Sequence, residues 1–275
     1  MKVLNLKNPF GAPVYHEETV SSTFDTARVL AARNESHGTV ITADFQEAGR
    51  GRTGRPWVTE RGQNLLFTIL LRYRDISSIP QALTLRAGLA VSLAIEDIVP
   101  ALSGSVQVKW PNDVMIAVRN AQAAGKVAGI LTEADGKNVY IGVGVNVAQR
   151  EFPEEYRCKA MSLIQALPEG DLGPIGPRRR VPTLTENARF ILLEKILARL
   201  YGEIEAVRES GSWRERLVRR LYKKGETVIF AEGAADSSIL IEGTLSGLGP
   251  GGELLIIPKG EKEERAFVTG ELRVY

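Results

Sequence analysis

Hydrophobic and polar positions divide the chain into stretches with distinct periods. TVITADF (39–45) and NLLFTILLRY (64–73) are dense in β-branched and apolar residues and predict strands. IPQALTLRAGLAVSLAIEDIV (79–99) is apolar on most faces over too great a length for a strand, so it predicts a buried helix. VQVKW (106–110), DVMIAV (113–118), KVAGILTEA (126–134) and VYIGVGVNV (139–147) predict a further run of strands, with ADGKN as a tight hairpin turn between the last two. TLTENARFILLEKILARLYGEIEAV (183–207) has helical spacing and opens with a Thr183–Glu186 capping box. SWRERLVRRLY (212–222) repeats the device with Ser212 and Glu215.

The segment PEGDLGPIGPRRRVP (168–182) holds four prolines and three glycines, which excludes an element interior and predicts an exposed loop. Its Arg178–Arg180 run reads as a solvated face. From Gly225 the pattern changes to short strands, TVIFA, ILIEGTLSGL, ELLIIP, RAFVTG and ELRVY, punctuated by GLGPGGE. These predict a small β-barrel with too little core to stand alone, and so docked on the rest. The expected division is 1–222 and 223–275.

Composition narrows the chemistry. The 275 residues carry 35 Lys+Arg against 33 Asp+Glu, a net charge of only +2. That argues against a global field for nucleic acid or membrane and leaves local clusters as anion sites. One cysteine, Cys158, excludes an internal disulfide, and two histidines, His16 and His37, make a Cys/His zinc site improbable. No metal ligands are legible. No apolar run looks long enough to span a bilayer and the start, MKVLNLKNPFGAP, has no secretory core, so a cytoplasmic protein is expected.

GRGRTGRPW (49–57) is the most unusual stretch. Gly49, Gly51 and Gly54 fit a dinucleotide fingerprint, and Gly49 and Gly54 half-fit a P-loop. Both need a helix straight after the glycines, whereas here RPWVTERGQ leads into a strand, and Arg55 and Pro56 replace the P-loop Lys and hydroxyl. What remains is an anion loop between two strands: glycines let backbone N–H groups approach, and Arg50, Arg52 and Arg55 can fork onto carboxylate or phosphate oxygens. Trp57 can cover an apolar or π surface. The same residues also fit a mobile basic turn.

Taken in order and spacing, GRGRTGRPW, VKWPND (108–113), GKVAGILTE (125–133) and IGVGVNV (141–147) resemble the motifs of biotin–protein ligases, or holocarboxylase synthetases. The motifs cover roughly residues 15–165, and the C-terminal strands extend the resemblance to the end. It implies an α+β fold: a mixed, largely antiparallel sheet with helices on one side, shared with lipoate ligases and class II synthetases, plus a C-terminal SH3-like β-barrel. The implied reaction joins biotin to ATP, with Mg2+, as biotinyl-5′-AMP. The biotinyl group then passes to a lysine of a carboxylase biotin carrier domain. A homodimer is compatible with the family; nucleic acid and membrane are not expected partners, because the Ser-Thr motif near residue 21 suggests a single-function type with no DNA-binding domain ahead of it.

The resemblance also implies roles. Ser22, Thr23, Phe24, Gln46, Arg50, Gly51, Arg52 and Lys126 correspond to biotin contacts. Arg50, Arg52, Arg55, Trp57, Asn112, Asp113, Lys126 and Asn146 correspond to the nucleotide side, with Lys126 and Arg50 catalytic. Phe24 departs from the family, which has Asn there, and is expected to turn into the core. Structural alternatives stay open: Ser22 and Thr23 as a helix cap, Gly142 and Gly144 as packing relief, Asn112 and Asp113 as a turn cap, Lys126 as a surface lysine. A lipoate ligase, a biotin-sensing repressor and a biotin-binding protein without turnover remain the functional alternatives.

Overall fold

The computed structural model describes residues 1–117, 124–157, 159–167, 186–205, 212–233 and 239–273. Thr183, Cys158, the 168–182 loop and most of the turn at 117–125 fall outside them, as does the Ser212 side chain.

Short runs rich in buried apolar residues build a central sheet from β1 (Lys2–Leu4), β2 (Val14–Glu17), β3 (Thr39–Ala43), β4 (Leu65–Arg72), β5 (Val106–Lys109), β6 (Asp113–Ala117), β7 (Ala124–Asp135) and β8 (Asn138–Val145). The order is β1-β2-β3-β4-β8-β7-β6-β5. Every pair is antiparallel except β2 with β3. The β7–β8 turn has the expected form, with Gly136 at φ 59°. β1 and β2 are short and half polar, which is why the sequence pattern does not announce them.

The two faces of the sheet hold different partners. Leu65, Phe67, Ile69 and Leu71 of β4 and Val139, Ile141, Val143 and Val145 of β8 point to one face, where α2 (Leu83–Ile98) and α4 (Glu186–Ile204) cover them. The alternate positions, Leu70 and Tyr140, meet α1 (Thr23–Ala32) through Phe24, Ala27 and Leu30. The long helices therefore share one side, while α1 lies on the other, beside the open part of the sheet. A short α3 (Leu163–Ala166) and α5 (Ser212–Arg219) complete the α-helices among the described residues. The segment Ile76–Ile98 is, by length and composition alone, apolar enough to cross a membrane, contrary to the expectation from the sequence. Most of it is instead buried within the protein, since α2 packs on both the sheet and α4.

The C-terminal strands β9 (Thr227–Glu232), β10 (Leu240–Leu248), β11 (Leu254–Pro258), β12 (Arg265–Phe267) and β13 (Gly270–Arg273) form a five-stranded antiparallel sheet in the order β12-β11-β10-β9-β13. It shares a core with the body. Leu85, Leu89, Val108, Trp110 and Trp213 cluster with Phe230, Leu245 and Ile256. Trp110 meets Phe230 at 5.9 Å and donates from Nε1 to the Gly252 carbonyl at 3.0 Å. An indole whose polar edge is satisfied in this way can be fully buried at the seam.

Candidate active site

A cavity of about 540 Å3 opens on the α1 side of the sheet. α1, the 46–57 loop, β6 to β8, the 152–160 segment and β13 enclose it.

Its floor is made of glycines. Gly129 of β7 and Gly144 of β8 are cross-strand neighbours. A Cβ on Gly129 would come within 2.8 Å of Trp57, and one on Gly144 would overlap the same indole. A Cβ on Gly142 would overlap the Phe24 ring. These glycines thus make room first for the protein's own rings. Trp57 lies over the floor, its buried Nε1 without a hydrogen-bond partner among the described residues.

A β-bulge places the key lysine. Val114 pairs with Ala128 and Met115 with Lys126, so Val127 is the extra residue. Residues 126 and 129 would otherwise face opposite sides of a regular strand. The bulge brings the Lys126 ammonium onto the floor, 5.2 Å from the Trp57 ring centroid and 2.6 Å from the Asp113 carboxylate. Lys109 of β5, almost fully buried, lies 3.8 Å from the other Asp113 oxygen. Burial pushes the Asp113 carboxyl up, but Lys126 and Lys109 outweigh it and hold it below the ordinary carboxylate value. For Lys109 burial wins over the charges of Asp113 and Glu271, and its pKa is lowered.

The opposite end of the cavity is polar and small. Ser22 caps α1, accepting from the Phe24 amide at 3.2 Å. The Thr23 amide and hydroxyl both donate to Gln46 Oε1, at 2.8 and 2.9 Å. Phe24 lines the cavity yet is 4 % exposed, packed against Gly142 and the α1 cluster.

The arginine loop lies folded over this floor. Its hairpin closes through Trp57 N–H to the Gly49 carbonyl at 2.9 Å and Gly51 N–H to Arg55 at 2.7 Å. The three arginines reach different elements: Arg50 to Asp25 of α1 (2.6 Å), Arg52 to Asn112 after β5 (3.3 Å), and Arg55 bidentately to Glu271 of β13 (2.9 and 3.1 Å). Arg50 has an acidic partner, then, and is not a loose cation. Asn112 also donates to the Ile130 carbonyl, which ties the WPND turn to β7. Asn146 is buried, and its amide donates to the Lys126 and Met161 carbonyls at 3.3 Å each. It braces the backbone that carries Lys126. Among the described residues no group of three His, Cys, Asp or Glu side chains could hold a metal.

Every residue given a biotin, nucleotide or catalytic role from sequence therefore lines one cavity. Sequence reasoning missed Lys109, though it stands inside the VKWPND motif, and Gly129, whose role depends on the bulge. It also missed Asp25 and Glu271. The second pairs with a residue 216 positions away, and nothing local announces it.

Residues 18–146 match the model of the biotin/lipoate A/B protein ligase family. Over those residues the chain resembles the biotin/lipoate protein ligases. The chain is 33 % identical over 192 residues to the biotin–[acetyl-CoA-carboxylase] ligase of Mycobacterium tuberculosis, a match covering 69 % of this chain and 61 % of that one. It is 39 % identical over 164 residues to the bifunctional ligase/repressor BirA of Bacillus subtilis, covering 57 % and 47 %. The matched region thus spans about half the length of that relative. The fold is that of the Aquifex aeolicus biotin protein ligase solved with biotin and ATP: TM-score 0.70, 29 % identity, covering 94 % of this chain and 97 % of that one.

Proposed function

We propose that the protein is an ATP-dependent biotin–protein ligase, which makes biotinyl-5′-AMP and transfers the biotinyl group to a lysine of a carboxylase carrier domain. The observation that carries this reading is the cavity itself. It joins a small polar end at Ser22, Thr23 and Gln46 to a glycine floor ending at Lys126, and seven cations against three carboxylates line it. Such a site suits a ligand with a compact polar head and a carboxylate tail, meeting a polyanion.

In the first step a carboxylate oxygen attacks the α-phosphorus of ATP, the bond to the β-phosphate oxygen breaks, and pyrophosphate leaves. Both reactants are anions. Lys126, Arg52 and Arg50 would offset their repulsion and stabilise the charge that develops on the phosphorus oxygens. Alignment at about 3–3.5 Å within the cavity would supply much of the remainder. Trp57 and the arginine loop would keep water from the mixed anhydride. In the second step the acceptor amine attacks the acyl carbon and AMP leaves. The amine's proton would need a base, and Asp113 beside Lys126 is the candidate for it. Magnesium would arrive on the triphosphate, since the nearby carboxylates Asp113 and Glu271 are already held by Lys126 and Arg55.

Pyrophosphate exchange into ATP, dependent on biotin, tests the proposal. Exchange with lipoate in its place would move the reading to the lipoate branch. Binding of biotin with no exchange would leave only a binding protein.

A further inference from the structure

β4 reads LLFTILLR, and its first seven residues are all buried. A hydroxyl in such a run must find its partner inside the protein. Thr68, 0 % exposed, has Thr23 as that partner: its Oγ1 donates to Thr23 Oγ1 at 2.8 Å. Thr68 does not line the cavity. It sits between Ile41 of β3 and Gly142 of β8, directly under the start of α1.

The donation is relayed. Thr23 Oγ1 accepts from Thr68 and so directs its own hydrogen to Gln46 Oε1. The Thr23 amide donates to the same oxygen. Two donors on Oε1 settle which way the Gln46 amide faces. Its Nε2 end, beside Gly49, is left to address a ligand. A polar chain running from the sheet interior to the cavity wall thus sets the donor pattern at the cavity's small end.

We infer that Thr68 is a positioning residue for recognition of the ligand head group, acting through Thr23 and Gln46 without touching the ligand. The inference rests on the biotin ligase reading. A valine at 68 keeps the shape, removes the donor and leaves the Thr23 oxygen unsatisfied; a serine keeps the donor. The experiment uses the full chain with biotin as the probe, read by calorimetry and by pyrophosphate exchange at varied biotin. Thr68→Val should raise the biotin Kd and KM by roughly three- to tenfold, with kcat and the KM for ATP unchanged, because one buried hydrogen bond is at stake. Thr68→Ser should recover most of the affinity, although it removes a methyl group from the core. If Thr68→Val binds biotin as wild type does, or if affinity in both variants follows their melting temperatures instead of the hydroxyl, the inference is overturned while the ligase reading stands. If the wild-type chain itself gives neither heat nor exchange with biotin, the ligase reading fails and takes the inference with it.

Discussion

Phe24 rests on Gly142. The first turn of α1 puts the aromatic ring where any side chain on that residue of β8 would stand, so the two positions specify one another. The residue is 4 % exposed and belongs to the α1 core, although it also lines the cavity. Gly142→Ala should therefore destabilise by about 1–3 kcal/mol through overpacking. Phe24→Asn should cost about 2–4 kcal/mol through a cavity and a buried amide. The double variant should be less damaged than the sum, since the smaller side chain at 24 makes room for the new methyl group. Thermal melts of the three variants measure the coupling. Biotin calorimetry alongside them separates loss of fold from loss of affinity, and a Phe24→Asn protein with wild-type melting would contradict the packing role.

Arg50 is 44 % exposed and paired to an equally exposed Asp25, so its loss should change stability by no more than about 0.5 kcal/mol. Its expected role is retention of the acyl-adenylate under the folded loop. Arg50→Ala should release biotinyl-AMP severalfold faster, as expected for the loss of a charge-assisted bond worth about 1–2 kcal/mol. Trapping experiments on purified protein give the release rate; an unchanged rate would leave Arg50 a loop tie to α1 and nothing more.

Lys126→Ala should slow adenylate formation by about two to three orders of magnitude, the loss of a cation aimed at developing phosphate charge. Stability should fall less, because Asp113 keeps Lys109 beside it at 3.8 Å. Single-turnover adenylation compared with denaturant unfolding distinguishes the two effects. Equal damage to both would make Lys126 a structural partner of Asp113.

Glu271 joins the C-terminal sheet to the arginine loop, and its ionisation gives that joint a pH dependence. Burial pushes its carboxyl up, but the bonds and charge of Arg55, with Lys109, hold it below its ordinary 4.5. A carboxyl that binds its proton more weakly when folded stabilises above the unfolded value and loses that contribution as pH falls. Asp113, held below 3.8, has the same sign. Stability should therefore fall as pH drops below the ordinary carboxylate values of these two groups. Glu203, which burial raises, works in the opposite sense, so the difference between wild type and Glu271→Gln is the cleaner measure. That difference should be largest near neutral pH and shrink as pH falls below the ordinary carboxylate value. Limited proteolysis at neutral pH should also cut the 46–57 loop faster in the variant. A constant difference in melting temperature across this range would show that Arg55 does not hold the joint through charge.

Sequence carried the elements further than their placement. The run 64–73 reads as a strand and becomes β4, because β-branched and apolar residues buried on both faces leave little choice of period. The apolar 79–99 stretch reads as a buried helix because it is too long for a strand, and its residues 83–98 become α2. The side of the sheet on which α1 lies was not legible, since a ten-residue amphipathic helix packs equally well on either face until the strand order is known.

The chemistry of the candidate site divides in the same way. The local sequence by itself determined which residue types were available: a glycine-spaced arginine loop, the VKWPND turn and the paired glycines of IGVGVNV. Only the tertiary structure decided what they meet. The bulge at Val127 flips the parity of β7 and turns Lys126 onto the floor. Burial between Asp113 and Glu271 makes a desolvated lysine of Lys109. The chain brings Glu271 to Arg55 across 216 residues. Side-chain identity and local period are properties of neighbours along the chain, which a sequence displays directly. Register, face and charge pairing between remote segments depend on how the sheet closes, and no short stretch of sequence contains that.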